Sequence, residues 1–336
     1  MILVGFRGLE LSESDLIVQD IKSGSIGGVI LFDRDVELNS DVRNIQSPEQ
    51  VLRLTEQLQS YSDIPLIISI DQEGGLVSRL KEKYGFPPSV SQQYLGDLND
   101  SQLTSDHASI TARALNEIGI NLNHAPCLDL NTNPANPVIG AKERSFSGDP
   151  DLVAKHAELI IDQHHSSNIA TTLKHFPGHG SSSADSHLGF VDVSESWKEI
   201  EMLPFRKIIA KGKADVVMTA HIFNSKLDEQ YPATLSEKVI SGLLRKELGW
   251  DGIVISDDMQ MKAISEHYGL SDSIELAINA GIDILVFGNN VSFDSTISQK
   301  VNKIINDLLS EGKIAESRIE ESFNRIMSFK NKYLSI

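Results

Sequence analysis

A single cysteine, Cys127, stands among 336 residues. No intrachain disulfide can form, and a reducing compartment is mildly favoured. Basic residues are scarce: 30 Lys and Arg against 47 Asp and Glu give a formal net charge of −17. Nucleic acid and anionic membrane are therefore excluded as main partners, because both need clustered cationic surface. No apolar run approaches the roughly 20 residues that span a bilayer. The opening MILVGFRGLELSESD lacks a basic n-region and does not read as a signal peptide. A cytoplasmic location is expected, or a periplasmic or secreted one if a leader was removed or the start codon is misplaced. No G-x-G-x-x-G follows the first strand candidate and no G-x-x-x-x-G-K-[ST] occurs anywhere, so neither common nucleotide-binding loop is present. No cofactor is expected.

What is present is a recurrent alternation. Apolar, β-branched runs lie at 2–6, 26–32, 66–71, 120–126, 171–176, 216–222, 252–257 and 283–288. They are continuous rather than alternating, the pattern of parallel strands buried on both faces. Helical patterns separate them, among them DLVAKHAELIIDQHH, WKEIEMLPFRKIIAKGK and SEKVISGLLRKELG. Eight such units predict an α/β fold, a single closed (β/α)8 barrel over 1–336, in preference to an open doubly wound sheet. Residues 314–334 read as a final helix. The polar stretch 33–48 reads as an exposed loop. The sequence does not set the oligomeric state; a monomer is compatible with it.

In such barrels chemistry sits at the C-terminal strand ends. The polar residues there are Asp71, Lys174, His175, His221 and Asp257. Each taken alone is as well explained as a cap on the next helix; the set together suits a polyhydroxylated ligand. The segment KHFPGHGSSSADSHLGF, 174–190, reads as a long loop. His175 and His179 have H-x-x-x-H spacing, but Pro177 and Gly178 break the helix a zinc pair would need, so no metal is expected. Asp185, Ser186 and His187 suggest a serine triad, yet in extended chain Ser186 faces away from His187. Asp185 and His187 share a side. A carboxylate beside an imidazole orients the ring and favours its protonated form, which suits proton transfer. The loop from Pro177 to Phe190 has few apolar anchors and is expected to move over bound ligand. GIVISDDMQMKAI ends a strand with two aspartates. Alternation lets one face the barrel interior and leaves the other to cap a helix beginning near Met259, and the pattern does not say which.

DQEGGLVSRL (71–80), NPVIGAKERSFSGDP (136–150), KHFPGHGSSSADSH (174–187) and GIVISDDMQMKAI (252–264) together resemble the β-N-acetylhexosaminidases of glycoside hydrolase family 3. The resemblance implies removal of terminal β-linked N-acetylglucosamine with retention of configuration, from small glycans or muropeptides of peptidoglycan recycling. It matches Asp257 to the nucleophile, His187 to the general acid/base and Asp185 to its orienting partner. It matches Asp71, Arg79, Arg144, Lys174 and His175 to residues that hold the sugar. Two positions depart from the family pattern. Leu76 stands where an arginine often follows the paired glycines, and GAKER before Arg144 is longer than the short G-x-R form. Both bear on the outer rim. A histidine replaces the second carboxyl of most glycosidases. Phosphorolysis by the same residues is thus an alternative, as are a β-glucosidase and a non-catalytic glycan-binding barrel.

Overall fold

The protein is described by a computed structural model covering residues 1–334. Eight parallel strands close into a barrel in chain order, with β1 paired to both β2 and β8. The strands are β1 (Ile2–Gly5), β2 (Gly28–Leu31), β3 (Ile67–Ile70), β4 (Leu122–Asn123), β5 (Ala170–Phe176), β6 (Val216–Thr219), β7 (Ile253–Asp258) and β8 (Ile284–Phe287). Around them run α1 (Leu16–Lys22), α2 (Pro48–Ser60), α3 (Gln92–Leu98), α4 (Ser101–Glu117), α5 (Pro150–Ser166) and α6 (Leu203–Ala210). The chain continues through α7 (Lys262–Ser265), α8 (Leu270–Ala280), α9 (Ile297–Ser310) and α10 (Glu316–Tyr333). The expected (β/α)8 barrel is the observed one. The stretch expected as a helix between β6 and β7 winds instead with π-helical bonds over Lys238–Glu247.

The continuous apolar runs have a direct cause. Leu3, Ile30, Ile67, Leu122, Ala170, Val216, Ile253 and Ile284 fill the barrel interior. Their strand neighbours Ile2, Val29, Ile68, Leu173, Val217, Val254 and Leu285 pack outward against the helices. Each fully buried aliphatic side chain stabilises by about 1.5–3 kcal/mol. The surrounding helices start where the sequence caps them. Ser47 accepts from Gln50 N before Pro48 at the start of α2, and Asp149 accepts from Asp151 N before Pro150 at the start of α5.

The stretch 33–48 is not simply an exposed loop. Asp33, Asp35, Arg43, Asn44 and Ile45 are buried. Arg43 donates to Asp35, to Phe6 O and to Asn289 O, tying the ends of β1, β2 and β8 together. Polar composition was misleading because these side chains pair with one another, which is how buried charge is tolerated.

The N-terminal mouth of the barrel is plugged by Ile326, Phe329 and Tyr333 of α10. Beside them Lys330 is only 3% exposed, and its ammonium donates to Gly27 O at 3.2 Å. Burial alone pushes its pKa from 10.5 down to about 8. The folded chain thus releases this proton near pH 8 and the unfolded chain near 10.5, so stability rises with pH across that interval. Below it the buried ammonium costs up to about 3 kcal/mol. Lys330→Met should raise Tm by several degrees at pH 7 and abolish the alkaline rise. An unchanged Tm with the same alkaline slope would disprove this account.

Candidate active site

A cavity of about 450 Å³ opens at the C-terminal ends of the strands, floored by Ile30, Met218 and Val286. A second cavity, of about 520 Å³, lies at the opposite face under α10 and is lined mainly by isoleucines and neighbouring apolar side chains. The first is lined by four of the five strand-end polar residues, Asp71, Lys174, His175 and Asp257, while His221 is buried behind it with Nε2 3.0 Å from Asp258 O, so the chemistry belongs there.

Its wall is a single charge network. Lys174 of β5 donates to Asp71, just past β3, at 2.9 Å and lies 2.6 Å from Glu73. Arg144, after β4, forks onto both oxygens of Glu73 at 2.8 and 2.7 Å and reaches His175 Nε2 at 3.1 Å. Arg79 lies 3.5 Å from Asp71. Burial raises the pKa of Asp71, but Lys174 and Arg79 overcome it and hold the carboxyl far below the usual range. Glu73, also buried, is drawn down to about 2 by Arg144 and Lys174. Burial works against the charge on Lys174, yet Asp71 and Glu73 raise it above the ordinary lysine value. The five residues expected to hold sugar are thus brought together, as fixed donors and acceptors. Lys174 and His175 are adjacent yet both line the cavity. The β5–β6 register shifts between Leu173 and Phe176, and such a bulge re-aims the side chains beside it.

A second register shift, between Ile255 and Asp258, affects β7. Asp257 and Asp258 both line the cavity, so alternation does not separate them as expected. Their partners do. Asp258 accepts from Gly288 N and Gln260 N at 3.0 Å, and α7 begins only at Lys262. It therefore closes a turn and binds the β8 loop instead of capping a helix near Met259. Burial pushes Asp258 up to about 6, with the charge of Asp257 adding to it against those N–H donors. Burial opposes ionisation of Asp257 too, but His221, His175 and His187 hold it below the ordinary carboxylate range. Two neighbouring carboxyls are thereby set apart, with Asp257 the more readily ionised of the two.

Asp185 and His187 meet as expected: the ring Nδ1 lies 2.7 Å from Asp185 Oδ1, which also accepts the His187 backbone N–H at 2.9 Å. Burial raises Asp185, and these bonds together with Lys142 bring it below its usual value. His187 is half exposed and lines the same cavity as Asp257. The loop carrying them is better anchored than expected. Residues 177–182 are buried. Trp197 donates to Pro177 O, Asn136 to the carbonyls of His179 and Gly180, and Gly180 N to Glu201. These anchors are polar and distant in sequence, so a search for apolar residues within the loop missed them.

Residues 4–329 match the family model described as the glycosyl hydrolase family 3 N terminal domain. The chain belongs to glycosyl hydrolase family 3. A family 3 β-N-acetylglucosaminidase from Paenibacillus sp. str. FPU-7 superposes with a TM-score of 0.90 at 37% identity, covering 99% of this chain and 61% of that one. The β-hexosaminidase of Tolumonas auensis is 34% identical over 292 residues, covering 86% of this chain and 83% of its own. The β-hexosaminidase A of Pseudoalteromonas piscicida is 33% identical over 334 residues, and this chain spans 53% of its length.

Within this family 3 site, two residues escaped the sequence reading. Glu73 lies two positions beyond Asp71 in DQEGG and could have been flagged by that proximity. Asp129, after β4, is fully buried; it accepts from His175 Nδ1 at 2.6 Å and from Cys127 Sγ at 3.0 Å. Cys127, Asp129 and His175 are of metal-ligating type and lie within 4.8 Å of one another. Burial and the charge of Asp129 push the thiol pKa well up. A protonated thiol and a ring N–H, both donating to Asp129, account for the trio as hydrogen bonds. Leu76 and Lys142, the positions that depart from the family pattern, line the cavity.

Proposed function

We propose that this protein is a retaining β-N-acetylglucosaminidase that removes one terminal sugar at a time. The observation that carries the reading is the pairing, in one cavity, of an ionised Asp257 with the His187–Asp185 dyad. Asp257 attacks the anomeric carbon as His187 protonates the departing oxygen. A glycosyl–aspartate forms, and His187 then takes a proton from the water that releases the sugar. Asp185 holds the ring. Asp71, Arg79, Lys174, Arg144 and His175 hold the sugar hydroxyls and acetamide. The relatives' names, β-hexosaminidase and β-N-acetylglucosaminidase, agree with this activity. The finer assignment, to muropeptides, rests on the family resemblance of the motifs.

A second reading, phosphorolysis, has an observation in its favour. Arg34 and Lys142 line the cavity, and neither makes an ion pair among the described residues. With a neutral imidazole in place of a second carboxylate, they leave the site open to an anionic acceptor.

The test compares a chromogenic N-acetyl-β-glucosaminide, the matching glucoside and a purified muropeptide, each with and without phosphate. The glucoside should be about 10²-fold or more poorer in kcat/KM, because the groups that meet the acetamide would be left unpaired. Equal rates on the two glycosides would refute the specificity. A sugar 1-phosphate product would establish the second reading, and failure on the muropeptide alone would remove only the cell-wall assignment.

A further inference from the structure

The residue between Asp185 and His187 has a purpose that the catalytic reading leaves unused. Ser186 lines the cavity beside His187, is 1% exposed, and lies with its hydroxyl 3.3 Å from His179 Nε2. Its carbonyl accepts from Ala263 N at 3.2 Å. His179 is itself buried at 1% exposure, and its Nδ1 lies 2.6 Å from Ser182 Oγ. The backbone N–H of His179 donates at 2.7 Å to Asp129 Oδ1, while the other oxygen of Asp129 receives His175 Nδ1. A continuous path of hydrogen bonds thus runs from His175 in the cavity wall, through Asp129 and His179, to the peptide that carries the dyad. Burial, helped by the charges of His175 and Arg144 and opposed by Asp129, pushes His179 down to about 4. At neutral pH its ring is uncharged and offers one donor and one acceptor, which two serine hydroxyls can both satisfy.

We infer that His179 is a positioning residue for the acid/base pair, a strut that fixes where His187 stands by bonding Ser186 through its ring and Asp129, the carboxylate behind His175, through its backbone N–H. The inference rests on the reading of His187 as the proton donor. Among the described residues His187 has no side-chain partner but Asp185, which lies on the same short segment, so the dyad has no polar side-chain anchor of its own to the barrel there. Ser186 supplies that anchor. The segment is not the extended chain expected from the sequence: residues 186–188 form a turn, in which Leu188 N donates to Asp185 O at 3.0 Å, and Ser186 lines the cavity beside His179 and His187. A misplacement of the order of 1 Å in a reacting group can cost up to about 10²-fold in rate.

The experiment uses the full chain with His179→Ala, His179→Gln, His179→Asn, Ser186→Ala and His187→Ala. Each is assayed on N-acetylglucosaminides with a poor leaving group and with a dinitrophenolate. Ser186→Ala, which deletes one hydroxyl, carries the test if His179→Ala does not fold. Ser186→Ala and His179→Ala should each lower kcat roughly 10-fold on the poor leaving group. The loss in kcat/KM, which reports the first chemical step, should nearly vanish on the dinitrophenolate. Gln reaches about as far as Nε2 and Asn only as far as Nδ1, so His179→Gln should recover more activity than His179→Asn. A variant combining His179→Ala with Ser186→Ala should cost no more than the worse of the two single changes. Losses that are equal for both leaving groups in the Ser186 and His179 variants, alongside a leaving-group-dependent loss in His187→Ala, would overturn the strut alone. A loss in His187→Ala that ignores the leaving group would overturn the acid/base reading on which it rests.

Discussion

Replacing Asp257 by alanine should lower turnover by about 10⁴-fold or more, the scale on which covalent enzymes lose activity with their nucleophile. The expectation is specific to one of two adjacent carboxyls. Asp257 is kept ionised by three imidazoles, while burial keeps Asp258 largely protonated up to about pH 6. Asp258 also spends one oxygen on Gly288 N and Gln260 N, and a Cβ on Gly288 would lie 2.5 Å from its carboxyl. Asp258→Asn should therefore act through the β8 loop, with a smaller loss that falls on KM as well as kcat. A slow fluorinated N-acetylglucosamine derivative should accumulate as an ester that peptide mapping places on Asp257. Label on Asp258 would reverse the assignment. Turnover of the reagent with no trapped ester would remove the covalent step and leave an inverting displacement, with the dyad as base.

Strand positions were legible because the barrel buries both faces of every strand, so the sequence signal is a run and not an alternation. The exception explains itself. Residues 120–126 were expected as a strand, but only Leu122–Asn123 are one. There the side chains of Asn121 and Asn123 take the backbone N–H groups of Ile68 and Gln72. Asparagine amides thus do work that ladder bonds do elsewhere. All eight expected site residues line the one cavity or contact a residue that does. What pattern could not supply was the partner set. Glu73 meets Arg144 across 71 positions and Asp129 meets His175 across 46. Such pairs exist only once the strands are in order. Alternation also failed at Asp257 and Asp258, for a local reason: register slips in β7 are a property of pairing with β8 and leave no mark in one strand's sequence.

His187→Ala should cost roughly 10²–10⁴-fold in turnover on a substrate with a poor leaving group, the usual range for general acid–base catalysis. The size of the loss is less informative than its dependence on chemistry. Proton donation matters in proportion to the basicity of the departing oxygen, so a dinitrophenolate should recover most of the first step. The second step still lacks its base, and the glycosyl–Asp257 ester should build up as an initial burst of released phenol. A small anionic nucleophile such as azide needs no deprotonation and should discharge that ester, restoring turnover and giving a glycosyl azide of retained configuration. Asp185→Asn should share the pattern in weaker form, because the ring stays in place but loses the charge that favours its protonated state. The half-exposed position of His187 suits both duties, since the same face must meet a leaving group and then a water. An undiminished loss on the dinitrophenolate, with neither burst nor azide rescue, would mean that His187 serves only to shape the loop, and proton transfer would have to be sought in another group lining the cavity.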